Sequence, residues 1–412
     1  MQDPLERTTA RARVVGVTPR IARDTPADGQ VLWLRREGPQ VVSFASSSYL
    51  GLERDPRLAR GAIEAIERSG VAFGASRCFT RSAEYQEACL WLGALFGRPV
   101  VLAQSTALAH ASALPVLLEA SDRVTFDRQV HPSVQGTLTA LAPRLGPAQA
   151  LAHGDLEGLE VAIRKARAAG IRRVWYCADG VDRMFGDRLD TRSLRDLMAR
   201  YRELHVYLDD AHGMSWAGTH GGGTLIDAGL PADRTVITTS LSKGFGAAGG
   251  VVVLPDEVSK ERIEDLGPSS VFGAQLSPPV LGAIAASAEI HLGGELPALQ
   301  RELAEKLQWV RRELLSDPGL APRLAVTAGE PTPVHYVVLG DPDTATHAAR
   351  YLLEQGISVN PVTYPAVPAG SSGLRFGVTL AHRDEDLRRL FGILAEYVGR
   401  LRPARCPRRR AG

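Results

Sequence analysis

Residues Ser240 to Gly250 read SLSKGFGAAGG and admit two chemistries. Gly244, Gly246 and Gly249 spell G-x-G-x-x-G, the fingerprint of a turn that wraps a dinucleotide. Lys243, one residue earlier, is placed to form a Schiff base with a carbonyl cofactor. A dinucleotide turn must follow a strand and open a helix, because the helix N-terminus holds the pyrophosphate. The run TVITTS (235–240) supplies the strand. Beyond Gly250, however, comes VVVLP, a further strand-like run and not a helix. The first acidic residues after it, Asp256 and Glu257, come too soon to hold a ribose. The dinucleotide reading falls, and the lysine reading remains.

From about Val100 to Val253 the chain alternates β-branched runs with helical patterns. The strand candidates are VVLAQS (100–105), RVTFD (123–127), RRVWYCAD (172–179), HVYLDD (205–210) and RTVITTS (234–240). Between them, LEGLEVAIRKARAAG (156–170) repeats its apolar residues at helical spacing and stops at Gly170. Such alternation predicts an α/β architecture, a mostly parallel sheet covered by helices on both faces. Ligands of such sheets sit beyond the carboxyl ends of the strands. Further on, SPPVLGAIAASAEIHLG (277–293) and LPALQRELAEKLQWVRRELLSD (296–317) predict helices. PTPVHYVVLGD, TATHAARYLLEQG, two more strand-like runs and a last helix from about Asp384 predict a small C-terminal α+β domain. The expected division is an N-terminal arm (1–43), a large domain (44–294), a small domain (295–400) and a basic tail (401–412).

Composition narrows the function classes. A chain of 412 residues exceeds one simple core, and 44% hydrophobic with 23% charged residues is globular. A formal net charge of +2 speaks against a nucleic-acid binder. Only the tail RLRPARCPRRRAG concentrates basic residues, and it reads as a solvated end. Cys78, Cys89, Cys177 and Cys406 form no C-x-x-C pair, so neither a structural metal site nor a disulfide framework is expected. The first residues carry no apolar leader core, and no apolar run approaches the roughly 18 residues a bilayer span needs. A cytoplasmic enzyme is the expectation.

The ends of the strand candidates carry the polar residues. HVYLDDAHG (205–213) sets Asp209, Asp210 and His212 where an apolar strand stops. Such residues are often mere loop carboxylates and a solvated histidine. An acid near a lysine is also what a pyridinium cofactor needs, since a carboxylate against the ring nitrogen makes the ring an electron sink. Successive strand residues point to opposite sides, so only one of Asp209 and Asp210 can face the ring. At Ser105 and Thr106 strand turns to helix, and a helix start holds phosphate through its amides and dipole. An ordinary Ser/Thr cap is the more common explanation of that pair taken alone. Ser240 adds a hydroxyl. His131, in TFDRQVHPS, either stacks on an aromatic ring or is simply exposed. Their joint placement after successive strands points to pyridoxal 5'-phosphate.

With these residues in place the chain resembles the α-oxoamine synthases, pyridoxal-phosphate enzymes of fold type I. These include the aminoketobutyrate ligases, the aminolevulinate and amino-oxononanoate synthases and the serine palmitoyltransferases. The resemblance runs from FASSSYLGL at Phe44 to HRDEDL at Leu387, with LDDAHG, SLSKGFGAAGG, YPAVPAG and LRFGVTLAH as its specific parts. It implies that Lys243 carries the cofactor, Asp209 pairs with the ring nitrogen and His212 hydrogen-bonds the phenolic oxygen. It implies that His131 stacks on the ring, and that the amides of Thr106 and Ala107 with the Ser240 hydroxyl hold the phosphate. Arg375 falls on the arginine that binds the amino-acid carboxylate, a role its planar fork suits.

Several positions depart from the family pattern. Ser47 stands where asparagine is usual, and Arg81 and Gln86 replace glycine and histidine. ADGVDRMFGD puts Asp182 and Arg183 before Met184, with Phe185 where aspartate is usual. Gly222 replaces arginine and Gly273 replaces serine. These changes leave the cofactor residues intact and gather around expected substrate contacts. The resemblance implies a homodimeric acyltransferase that joins an amino acid to an acyl thioester, on coenzyme A or a carrier protein, with decarboxylation to an α-amino ketone. An aminotransferase or lyase of the same fold is the alternative, and a non-catalytic subunit the least favoured, since Lys243 is present.

Overall fold

The computed structural model describes Arg13, Gly16, Val31–Trp33, and residues 40–326 and 328–401. The tail from 402 onward, with Cys406, and most of the expected N-terminal arm lie outside the described residues. The described residues form two compact units. The larger comprises Leu52–Arg183 and Arg188–Gln300. The smaller takes the described residues up to Gly51, the short segment Met184–Asp187, and those from Arg301 onward.

The larger unit is built on a seven-stranded sheet. Its strands are β1 (Val100–Ala103), β2 (Arg123–Asp127), β3 (Gln149–Leu151), β4 (Val174–Asp179), β5 (Leu204–Asp209), β6 (Thr235–Ser240) and β7 (Gly250–Val253). The spatial order is β1-β7-β6-β5-β4-β2-β3. Strand β7 runs antiparallel to both β1 and β6, and the other pairs are parallel. The sheet is therefore mostly parallel, as the alternating pattern predicts. The run after the glycines is strand β7, with Gly250 opposite Ser240, so no helix follows the G-x-G-x-x-G.

Side-chain alternation sorts the core into two halves. Val174, Tyr176 and Ala178 of β4 and Leu204, Val206 and Leu208 of β5 pack with Leu92, Ile163, Leu197 and Ile284 on one face. Trp175 and Cys177 of β4, Tyr207 of β5 and Val236 of β6 pack with Leu114, Val134 and Leu138 on the other. Each fully buried Leu, Val or Ile contributes about 1.5–3 kcal/mol, so both faces must be covered. Helices Thr106–Leu117 and Pro132–Leu145 cover the second face. Near-continuous apolar strands follow from this double cover.

The smaller unit holds a three-stranded antiparallel sheet with Ser372–Gly377 between Val334–Gly340 and Asn360–Val362. Helices Pro342–Glu354 and Asp384–Gly399 belong to the same unit. Residues up to Gly51 join it for a backbone reason. Val42 and Ser43 pair in parallel with Ile357 and Ser358, the Phe44 amide donates to Ser358, and the Gly377 amide donates to Phe44. Among the described residues no helix is long and apolar enough to cross a membrane.

Candidate active site

The carboxyl ends of the parallel strands carry the polar residues of the larger unit. After β1, Ser105 caps helix Thr106–Leu117, its side chain accepting from the Leu108 amide at 3.2 Å. The first amides of a helix have no acceptor within it, and this cap leaves those of Thr106 and Ala107 for a ligand. Gly250 lies against this turn: a Cβ there would sit 2.5 Å from the Thr106 nitrogen. The start of β7 thus braces the helix start, and only glycine allows the approach.

Between β6 and β7 the motif folds into a tight loop. The Gly246 amide donates to the Lys243 carbonyl, the Ala247 amide to Leu241 and the Leu241 amide to Gly249. Gly246 has φ +81°, and a Cβ on it would meet the backbone of Leu52 and Glu53 at 2.6 Å. The glycines serve the loop that presents Lys243, which is half-buried. Ser240 is buried and accepts from the Ser242 amide at 3.2 Å.

Strand β5 ends with the two carboxylates on opposite sides. Asp209 is 4% exposed. It accepts from the Ala211 amide at 2.9 Å and from the His110 ring at 3.0 Å. Burial opposes its charge, but the His110 hydrogen bond and the nearby Lys243 and His131 outweigh that and hold its carboxyl below the usual range. Asp210 faces a different pocket, where Thr224 Oγ1 donates at 2.8 Å and the Leu225 amide at 3.2 Å. Burial pushes Asp210 up to about 7. One face therefore offers a firm anion beside a lysine, and the other a carboxyl on the edge of protonation.

His131 caps helix Pro132–Leu145. Its Nδ1 lies 2.6 Å from Ser133 Oγ and accepts from the Ser133 amide, which puts the ring proton on Nε2. Burial lowers its pKa, so the ring is neutral near pH 7. Its backbone amide donates to Asp179 at the end of β4. Burial, with Asp209 and Asp182 nearby, raises the Asp179 carboxyl well above the usual range. Arg183 reaches Asp179 at 3.8 Å and donates to the Gln129 carbonyl. His212 is half-buried in the turn after β5, its carbonyl accepting from Trp216 Nε1 at 2.6 Å.

The structure thus gathers Asp209, Lys243 and His131 closely enough for each to act on the others' charge. In the smaller unit Arg375 is buried on the central strand, and Tyr49 joins it to Ser47. The fully buried Tyr49 phenol hydrogen-bonds both side chains, and burial raises its pKa. Sequence reasoning missed His110, Asp179 and Tyr49. His110 had a visible signal, a lone histidine on the buried face of an apolar helix.

These residues fit pyridoxal 5'-phosphate. A buried acid kept anionic beside a lysine suits a protonated ring nitrogen, and a helix start with outward amides suits a phosphate. Residues 39–394 match the family model of aminotransferase class I and II. The chain is 33% identical over 362 residues to the 8-amino-7-oxononanoate synthase of Geobacter sulfurreducens, covering 87% of this chain and 89% of that one. It is 31% identical over 370 residues to the enzyme of the same name from Methylobacillus flagellatus, covering 89% of each. Its fold is similar to that of Sphingomonas wittichii serine palmitoyltransferase, with a TM-score of 0.83, 22% identity and 96% and 98% of the two chains covered. The 8-amino-7-oxononanoate synthase of Francisella tularensis gives a TM-score of 0.70 at 18% identity, over 87% of this chain and 98% of that one. The chain belongs to the aminotransferase class I and II family and, within it, to the α-oxoamine synthases.

Proposed function

We propose that this chain is a pyridoxal-phosphate-dependent acyltransferase. It joins an amino acid to an acyl thioester and releases a thiol and carbon dioxide, leaving an α-amino ketone. One observation carries the reading: curated relatives named 8-amino-7-oxononanoate synthase align over nearly nine-tenths of both chains. The site geometry supports it. When bound, the cofactor supplies a covalent anchor for the amino group and an electron sink for the α-carbon.

The chain's own residues do the rest. The Thr106 and Ala107 amides and the Ser240 hydroxyl bind the phosphate. Asp209 would keep a negative charge at the ring nitrogen, and the neutral His131 ring would stack on the cofactor ring. His212 would hydrogen-bond the phenolic oxygen. Lys243 Nζ would hold the cofactor and, as a neutral amine, would serve as the base for the α-proton of the substrate. Arg375 orients the amino-acid carboxylate with help from Ser47, and Tyr49 keeps the two in one hydrogen-bonded set. Coenzyme A and a carrier protein present the same thioester, and the reading covers either as acyl donor.

We also take the enzyme to be a cytoplasmic homodimer. Phe79 and Phe272 are 89% and 90% exposed, and their segments are tied together by the Ser76–Ala274 bridge, which suits a covered face. Sedimentation of the purified chain checks the dimer. Release of free thiol from an acyl thioester, dependent on an added amino acid, tests the reaction itself. Amino-group transfer to a keto acid without thiol release would instead make the chain an aminotransferase.

A further inference from the structure

The proposed function gives no task to His110, which is fully buried on helix Thr106–Leu117. Both its ring nitrogens are engaged. Nδ1 lies 2.8 Å from the Tyr207 phenol and Nε2 lies 3.0 Å from Asp209 Oδ2. The phenol accepts in turn from the Thr238 hydroxyl at 2.7 Å. A phenol has one proton, so with Thr238 donating to it, that proton goes to Nδ1. The imidazole proton then sits on Nε2 and is given to Asp209. Strand alternation builds this chain, because Tyr207 and Asp209 on β5 lie two residues apart and so share a face. All four residues are buried.

Asp209 has a rival for its charge. Asp179 is its register partner on the adjacent strand, and the two carboxyls raise each other's cost of ionisation. Both have other partners, and Asp182 adds a like charge beside Asp179. Each accepts one backbone amide, from His131 for Asp179 and from Ala211 for Asp209. Arg183 stands near Asp179, while Lys243 acts on Asp209. The His110 hydrogen bond falls on Asp209 alone.

We propose that His110, fixed as its Nε2–H tautomer by Tyr207 and Thr238, is a positioning residue that places the negative charge of the Asp179–Asp209 pair on Asp209. The proposal rests on the reading of Asp209 as the partner of the cofactor's ring nitrogen. Without the donor, the charge drifts to Asp179, and the ring nitrogen loses its counter-ion.

The test measures the dissociation constant of pyridoxal phosphate for the full chain and for variants with and without Asp179→Asn. His110→Leu should weaken cofactor binding by about tenfold or more, the worth of a hydrogen bond to a charged group. Tyr207→Phe removes a single oxygen and keeps the packing, so it reports even if His110→Leu folds poorly, and it should weaken binding in the same direction. Asp179→Asn alone should leave affinity close to wild type. Added to either variant it should restore most of the loss, because Asp209 then has no rival. A packing defect at His110 would not respond to Asp179→Asn. Wild-type affinity in both His110→Leu and Tyr207→Phe, or a loss that Asp179→Asn does not relieve, overturns the proposal. Asp209→Asn separates the layers: if it retains full affinity, the ring-nitrogen reading fails as well, and if it loses affinity while His110→Leu does not, only the relay fails.

Discussion

Gly250→Ala tests whether the start of helix Thr106–Leu117 seats the phosphate. Gly250 opens β7, paired with Ala103 on one side and Ser240 on the other. An added methyl would lie 2.5 Å from the Thr106 nitrogen, 2.6 Å from its Cα and 2.7 Å from the Ser105 carbonyl carbon. Carbon contacts are comfortable at about 3.5–4.0 Å, so something must give by about 1 Å. All three atoms are backbone, and no rotamer change relieves them. Overpacking of this kind costs about 1–3 kcal/mol of stability. The displaced atoms include an amide assigned to the phosphate, and a misplacement of about 1 Å in a binding group costs on the order of a hundredfold. Cofactor affinity should therefore fall further than stability does.

Spectroscopic titration of the apo chain with pyridoxal phosphate, beside denaturant unfolding, reads both quantities. Gly136→Ala is the control, since nothing lies within 4 Å of its Cβ and it sits inside helix Pro132–Leu145. It should gain about 0.4–1 kcal/mol and bind cofactor normally. Wild-type cofactor affinity in Gly250→Ala would refute the reasoning.

Asp210 makes stability depend on pH. Burial raises its folded pKa to about 7 from the ordinary 3.8, so between those values the folded chain holds a proton the unfolded chain has lost. Stability should then fall by up to about 4 kcal/mol as pH rises from 4 to 7 and change little from this source above that. Asp210→Asn should flatten that slope in unfolding midpoints taken at pH 5 and pH 8, and an unchanged slope contradicts it. Asp209, with its pKa lowered, acts with the opposite sign, and its contribution is lost as pH falls. Arg375→Ala should weaken amino-acid binding more than tenfold, since stranding a buried charge partner costs roughly 2–5 kcal/mol. Cofactor binding should stay unchanged in that variant. Near-normal amino-acid binding in Arg375→Ala with loss in Arg183→Ala would move the carboxylate site to Arg183.

Much of the fold was legible because local pattern and tertiary role coincide. The β4 run VWYCAD is apolar on both faces because helices cover both, and the run after Gly250 is a strand because it fills the gap between β1 and β6. Strand β3 was not legible. It has three residues, two of them exposed, too few to show a period. The residues proposed to hold the cofactor could be picked out because each lies at or just beyond the end of a strand. Their supports could not, since His110 meets Asp209 across 99 positions and no local spacing announces that contact. Tyr49 and Arg375 stand even further apart, on segments joined by long-range contacts such as the pairing of Phe44 with Ser358 and Gly377 and the Leu380 amide donating to Tyr49. The domain division shows the same limit. The segment Phe44–Gly51 and the four residues Met184–Asp187 pack with the smaller unit through long-range contacts such as Thr332 Oγ1 donating to the Gly186 carbonyl.

The central claim is that Lys243 carries pyridoxal phosphate. Borohydride reduction of the cofactor-loaded chain, followed by peptide mapping, tests it most directly, because reduction fixes the cofactor to whichever amine holds it. The account predicts one pyridoxyl group per chain, on the peptide containing SLSKGFG and at Lys243. It also predicts that Lys243→Ala takes up no label. Label on another lysine, or none on a chain that has bound the cofactor, would contradict it.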